Sequence, residues 1–403
     1  MSLRGHGSLT YRRYATETGP VSSRAGLLGA IALATDTADE LLLGTVRDVH
    51  GAVSSRVRGV VAGYPPQEIR PGRVSSAVYA GIGGGLRATG RGLRAVDARF
   101  GVRVEETAKG RFIVSAVNGL IGDRLAEEGS DLAIDMAVRK RGRDVTLEAD
   151  ALAEAFPVAT PDVVVFLHGL SEAETAWRRH HDRTGGSYGA RLAAETSWTP
   201  VYVRANTGLP IAENGVALAS LLDDLVAGWP TAVRRIALVG HSMGGLVIRA
   251  ACAVATDARD PWTDRVSDVV TLGTPHLGAP LERGVALGVR ALGRLPESAP
   301  LGRILEYRSV GILDLRAGLA PDVQNLPHAR YRLVAATLAG SHRHPVSEAV
   351  ADGLVRYPSA LGRPRRGVEM FPGADTLHVK GDHFDLLNHP EVYDALRTWL
   401  TQD

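Results

Sequence analysis

A chain of 403 residues with 45% hydrophobic and 22% charged side chains can hold two domains, or one domain with a long extension, and has ample apolar content for a core. Its 46 Lys and Arg against 44 Asp and Glu leave a formal charge of only +2, and the basic residues carry no nucleic-acid motif or interleaved aromatics, so no nucleic-acid partner is expected. The single cysteine, Cys252, excludes an intramolecular disulfide, and no clustered His, Cys or carboxylate spacing calls for a metal or cofactor.

The near-balance of charge conceals an asymmetry. Residues 1–111 hold 16 Lys and Arg against 9 Asp and Glu, an excess of seven, so the remainder is negative by five. The opening MSLRGHGSLTYRRY has charge but no apolar h-region, and no stretch of eighteen apolar residues runs without a charge. The expectation is a cytoplasmic protein with no cleaved signal and no membrane span.

From Arg24 to Val60, Leu27, Leu28, Ile31, Leu42, Val46 and Val49 recur at roughly helical spacing among acidic and basic residues, which predicts an amphipathic helix or helix pair. Pro65-Pro66 and Pro71-Gly72 interrupt the pattern, and a glycine-rich, weakly helical stretch follows with Arg87, Arg91 and Arg94 on one face. That face is either the solvated side of a packed helix or a peripheral contact for anionic lipid headgroups. Gly83-Gly84-Gly85 lacks the preceding strand and βαβ unit of a dinucleotide site and reads as a turn.

A further helix is expected over Phe112–Ala126, and Leu132–Thr146 reads as a hairpin turning at Arg141-Gly142-Arg143. We place a boundary near Gly129, between a mainly helical extension, residues 1–128, and an α/β domain, residues 129–403. Beyond it, strands are predicted at Val163–Leu167, Val201–Arg204, Ile236–Val239, Val269–Leu272, Tyr331–Thr337 and Thr376–Val379, alternating with helices. Such alternation predicts an α/β fold with a mainly parallel sheet, its functional groups gathered at the carboxyl ends of the strands.

The densest signal is RIALVGHSMGGLVIRAA, Arg235–Ala251: a short apolar strand, a G-x-S-x-G turn and a helix in one segment. This is the pattern of a nucleophile elbow, in which Ser242 sits in strained geometry above the sheet edge with the helix N-terminus directed at it. After the first of the predicted parallel strands, His168-Gly169-Leu170 makes a sharp turn from which the Leu170 N–H pairs with that of Met243 as an oxyanion hole. His168 itself reads as a brace for that loop.

A serine hydroxyl needs a base, and the base needs a carboxylate to fix its tautomer. Among thirteen histidines His383 is best placed, following the last strand and preceding a closing helix, Pro390–Leu400; His378 lies within the strand and His389 marks the helix start. Asp352, in a loop after the Tyr331 strand, is the favoured acid, with Glu348 the alternative. Cys252, on the helix after the elbow, reads as a buried structural thiol.

Taken together, HGL at His168, GHSMGG at Gly240, LGTPHLGAPL at Leu272, DGLV at Asp352 and DHFDLLNHPEVY at Asp382 resemble an α/β-hydrolase of the bacterial lipase and esterase type, with a catalytic domain similar to GPI inositol-deacylase-like hydrolases. The resemblance implies a Ser242, Asp352, His383 triad, Leu170 and Met243 as oxyanion donors, and cleavage of carboxylic or lipid esters without a cofactor. It also implies a helical cap, about residues 276–328, over the active site; the amphipathic helix expected within Pro280–Ala317 either lies above Ser242 or completes the core. Trp177 and Tyr188 either line that pocket or pack in the core. The same triad would serve acyl transfer or amide or thioester cleavage, and a membrane-surface binding module with vestigial chemistry is the rival of a different class.

Overall fold

The structure is a computed structural model that describes residues 108–127, 129–130, 132–254, 259–279, 309–319, 323–341, 351–364 and 366–402. The expected helices of residues 24–60, the turn at Gly83, the arginine face at Arg87, residues 280–308 of the expected cap and the alternative acid Glu348 lie outside the described residues.

Eight strands form one sheet in the order β2-β1-β4-β3-β5-β6-β7-β8. The hairpin is β1 (Ala137–Lys140) and β2 (Arg143–Val145), shorter than the apolar run suggested, and it turns through Arg141 and Gly142, both at positive φ as a two-residue hairpin turn requires. β1 runs antiparallel to β4, and all later pairings are parallel. These strands are β3 (Asp162–Leu167), β4 (Trp198–Arg204), β5 (Arg235–His241), β6 (Val266–Leu272), β7 (Arg330–Thr337) and β8 (Asp375–Lys380). Each covers a predicted strand and extends it at one end or both; β4 starts ahead of Pro200, the residue at which the sequence pattern breaks.

The central strands are buried on both faces, which explains why they read as unbroken apolar runs rather than as alternating ones. Val163, Val165 and Leu167 of β3 pack with Leu238 of β5 against the helices Ile211–Gly228 and Met243–Cys252, while Val164 and Phe166 join Val239 and the C-terminal helix on the opposite face. The α-helices among the described residues, in chain order, are α1 (Ala108–Glu127), α2 (Ala149–Ala155), α3 (Tyr188–Glu195), α4 (Ile211–Gly228), α5 (Met243–Cys252), α6 (Val310–Ala317), α7 (Tyr357–Ala360) and α8 (Pro390–Thr401). Truncating a fully buried residue such as Leu238 to alanine in such a core costs about 2–5 kcal/mol.

α1 precedes the expected boundary at Gly129 yet is fastened to the α/β sheet. Asn118, fully buried, accepts the Ile134 N–H at 2.9 Å and donates to the Leu132 carbonyl at 2.8 Å; Asn206, in the loop after β4, donates to the Gly122 carbonyl at 3.0 Å. Ser309 caps α6 and donates to the Gly119 carbonyl at 2.9 Å. The approach is close enough that a methyl group at Gly119 would overlap Ser171 Oγ.

Candidate active site

β5 ends in the expected turn. Ser242 holds φ 52° and ψ −123°, a conformation that a side-chain-bearing residue keeps only when its surroundings impose it. The imposition is visible on both sides: a Cβ at Gly240 would lie 2.5 Å from the Gly245 nitrogen, and one at Gly244 would lie 2.5 Å from the carbonyl oxygens of Leu167 and His168. Only glycine lets strand, turn and helix approach this closely. The Ser242 N–H donates to the Leu272 carbonyl of β6 at 2.8 Å, which fixes the turn against the next strand end.

Leu170 lies just past β3, and Met243 is the first residue of α5. Neither backbone N–H donates to an acceptor among the described residues. His168 braces the loop of Leu170 as expected: its Nε2 accepts the Ala205 N–H at 3.1 Å, so Nδ1 carries the proton and donates to the Gly169 carbonyl at 2.9 Å. Burial lowers the tendency of His168 to take up a second proton.

His383 and Asp352 are both buried and directly paired, Nδ1 to Oδ2 at 2.8 Å. Their loops are also joined by the His383 N–H donating to the Asp352 carbonyl at 3.0 Å, while Asp352 Oδ1 accepts the N–H groups of Leu354 at 2.9 Å and Val355 at 2.7 Å. The carboxylate is thereby held in one orientation. Burial alone would pull the His383 imidazole below the usual histidine range, but the charge and hydrogen bond of Asp352 outweigh it and hold the ring above that range. The ring stands against Gly273, where a Cβ would lie 3.1 Å from Nδ1 and Cε1, one residue beyond the Leu272 carbonyl that Ser242 binds. No hydrogen bond joins the Ser242 hydroxyl to the His383 ring among the described residues; the direct contact within the trio is that of Asp352 with His383.

Strand order, parallel register and a strained serine after β5, with Asp352 after β7 and its partner His383 after β8, occur together in one architecture. The chain has the α/β-hydrolase fold. Residues 218–288 of this hydrolase fold match the PGAP1-like alpha/beta domain family. Similar solved structures include a lipase of Bacillus licheniformis in its mature form, 21% identical, covering 60% of this chain and 92% of the lipase with a TM-score of 0.41. An esterase of Pyrococcus furiosus is 15% identical over 60% of this chain and 82% of its own, with a TM-score of 0.38. A thioesterase from the prodiginine biosynthetic pathway of Streptomyces coelicolor is 18% identical over 60% and 91%, with a TM-score of 0.37.

Several surrounding residues occupy places the sequence left open. Trp177 and Tyr188 are core residues, each 1% exposed and packed with Phe166 and Leu386. The Tyr188 hydroxyl donates to the Leu386 carbonyl at 2.8 Å. In α6, Ile312 and Leu315 are buried whereas Val310 and Leu313 face solvent. Cys252 is buried, and burial pushes its thiol up to about 12, which keeps it protonated and inert. Among the described residues no three His, Cys, Asp or Glu side chains converge as a metal site, and no helix is long and apolar enough to cross a membrane.

Two polar residues beside the elbow escaped the sequence reading. Glu172 accepts the Gly169 N–H at 2.8 Å and pairs with Nδ1 of His241 at 3.0 Å, while Nε2 of His241 meets the His383 carbonyl at 3.1 Å. His241 stands inside the pentapeptide that carries Ser242. Its partner lies 69 residues away, so no local spacing could announce the contact.

Proposed function

We propose that the protein is a serine ester hydrolase in which Ser242 is the nucleophile, His383 the general base and acid, and Asp352 the residue that orients His383. The observation that carries this reading is the buried Asp352–His383 pair, seated beside a serine held at positive φ on a nucleophile elbow. His383 Nδ1 faces the carboxylate, so Nε2 is the nitrogen left for the serine proton. The reading requires the Ser242 hydroxyl to meet that nitrogen in the loaded enzyme, where catalytic hydrogen bonds commonly tighten.

The steps follow from the placement. Oγ of Ser242 attacks the ester carbonyl carbon as His383 takes its proton, and the Leu170 and Met243 N–H groups receive the oxyanion. The carbon–oxygen bond to the alcohol breaks, and the alcohol leaves with the proton from His383. Water then gives a proton to His383 and attacks the acyl-enzyme, releasing the carboxylic acid and restoring Ser242. Each oxyanion donor is worth about 10²–10³ in rate in enzymes of this mechanism.

The substrate class in this reading is a carboxylic ester, with acyl or lipid esters favoured by the resemblance of the motifs to those of lipases and esterases. The anionic-lipid contact expected of residues 1–128 is part of the same reading, and its arginine face lies outside the described residues. Ser242→Ala is expected to abolish both ester turnover and fluorophosphonate labelling while leaving the thermal midpoint within a few degrees. Undiminished turnover would refute the assignment. A series of p-nitrophenyl esters of increasing chain length, with competing alcohols added, separates short-chain esterase, lipase and acyl transfer by the products formed.

A further inference from the structure

We propose that Glu172 and His241 form a buried ion pair, with His241 protonated on both ring nitrogens, that acts as a positioning device for the oxyanion loop and the loop of His383. This deepens the proposed serine chemistry and rests on it only for its effect on rate.

The protonation state follows from hydrogen-bond valence. The His383 backbone carbonyl can only accept, so Nε2 of His241, 3.1 Å away, must donate. Glu172 Oε2 receives the Gly169 N–H at 2.8 Å and stands 3.0 Å from Nδ1 of His241, the setting of an ionised carboxylate shared between two N–H groups. An ionised carboxylate also only accepts, so Nδ1 of His241 must donate as well. Both nitrogens therefore carry protons, and the ring, 1% exposed, has its counter-charge 3.0 Å away.

The pair ties together the three segments that the proposed chemistry needs. Glu172 Oε2 takes both the Gly169 N–H of the oxyanion loop and the imidazole of the elbow, and that imidazole holds the backbone of His383. The charges also matter. A Cβ at Gly169 would lie 3.1 Å from Glu172 Oε2 and 2.9 Å from the Ser242 Cβ, so a carboxylate stands about one residue's width from where an oxyanion would form. Uncompensated, it would oppose that charge; the imidazolium of His241 cancels it while leaving the hydrogen bonds in place. The other groups around His241 are the His383 ring at 4.8 Å, itself paired with Asp352, and the rings of Trp177 and Phe384, each at 6.4 Å.

The test uses full-length protein labelled with ¹⁵N-histidine. In the native protein one imidazole, identified by its loss in His241→Gln, is expected to show two protonated ring nitrogens. Should His241→Gln fail to fold, the displacement of the same signal in Glu172→Gln identifies it. In Glu172→Gln, where the counter-charge is gone, that ring is expected to show one bare nitrogen. The limiting rate at which a fluorophosphonate modifies Ser242 should fall about 10- to 100-fold in this variant, with the half-saturating reagent concentration unchanged, as expected for misplaced reacting groups. A bare nitrogen on native His241, or native reactivity in Glu172→Gln, overturns the proposal. The nitrogen signature is read without substrate, so a native protein that shows it but resists the fluorophosphonate would refute the esterase reading and leave the ion pair standing.

Discussion

Two imidazoles stand 4.8 Å apart at the carboxyl end of the sheet, each bonded to its own carboxylate, yet they are built for different ends. His383 is engaged through Nδ1, and its Nε2 makes no hydrogen bond among the described residues. His241 is engaged at both nitrogens, by Glu172 and by the His383 carbonyl. A ring with one open nitrogen can pass a proton; a ring bonded at both ends can only hold its neighbours still. In the proposed reading the same two chemical groups, an imidazole and a carboxylate, thus make a reactive group or a fastening according to how many of the ring's hydrogen-bond positions the fold occupies.

The largest effect should come from breaking the reactive pair. Asp352→Asn is expected to lower the turnover number by about 10⁴-fold, because an amide can donate to Nδ1 and so favours the wrong tautomer. Rates with a chromogenic ester measure this, and a native rate in that variant would remove Asp352 from the mechanism. Glu172→Gln belongs one step down, at the 10- to 100-fold proposed above, since it disturbs placement and leaves the proton route intact.

The pH profile sharpens the contrast further. Because Asp352 holds His383 above the ordinary histidine value, the ring stays protonated, and unable to act as base, until the pH passes beyond about 6.5. The acidic limb of kcat/KM should therefore lie on the alkaline side of that value. In Asp352→Asn the charge and carboxylate bond of Asp352 are gone, burial is opposed only by the smaller pull of Glu172 and Asp382, and the limb should move to lower pH. A limb that stays in place would separate it from His383. The smallest effect is expected from Gly119→Ala in α1, where the added methyl presses on Ser171 beside Leu170. A several-fold loss in rate, with Asp352–His383 untouched, would mark α1 as a support of the oxyanion loop.

The strands were legible because burial on both faces leaves uninterrupted apolar runs, and the elbow because glycine is the only residue that fits at Gly240 and Gly244. The hairpin turn was legible through Gly142, although its flanking strands are only four and three residues long. Trp177 and Tyr188 could not be assigned to core or pocket from sequence, since burial depends on Phe166 and Leu386, which are distant along the chain. Glu172 and His241 were illegible for the same reason: the two meet only once β3 and β5 lie side by side. The docking of α1 was hidden too, because it rests on small residues, Gly119 and Gly122, and on the single amide of Asn118, none of which produces an amphipathic pattern.

That docking bears on where the protein may be cut. A version beginning at residue 129 would strip the acceptor from the Ile134 N–H and from the Asn206 amide, both buried, and each orphaned donor costs about 1–3 kcal/mol. We therefore expect a fragment that keeps α1 to unfold at a higher temperature than one beginning at residue 129, a difference that thermal unfolding of the two measures.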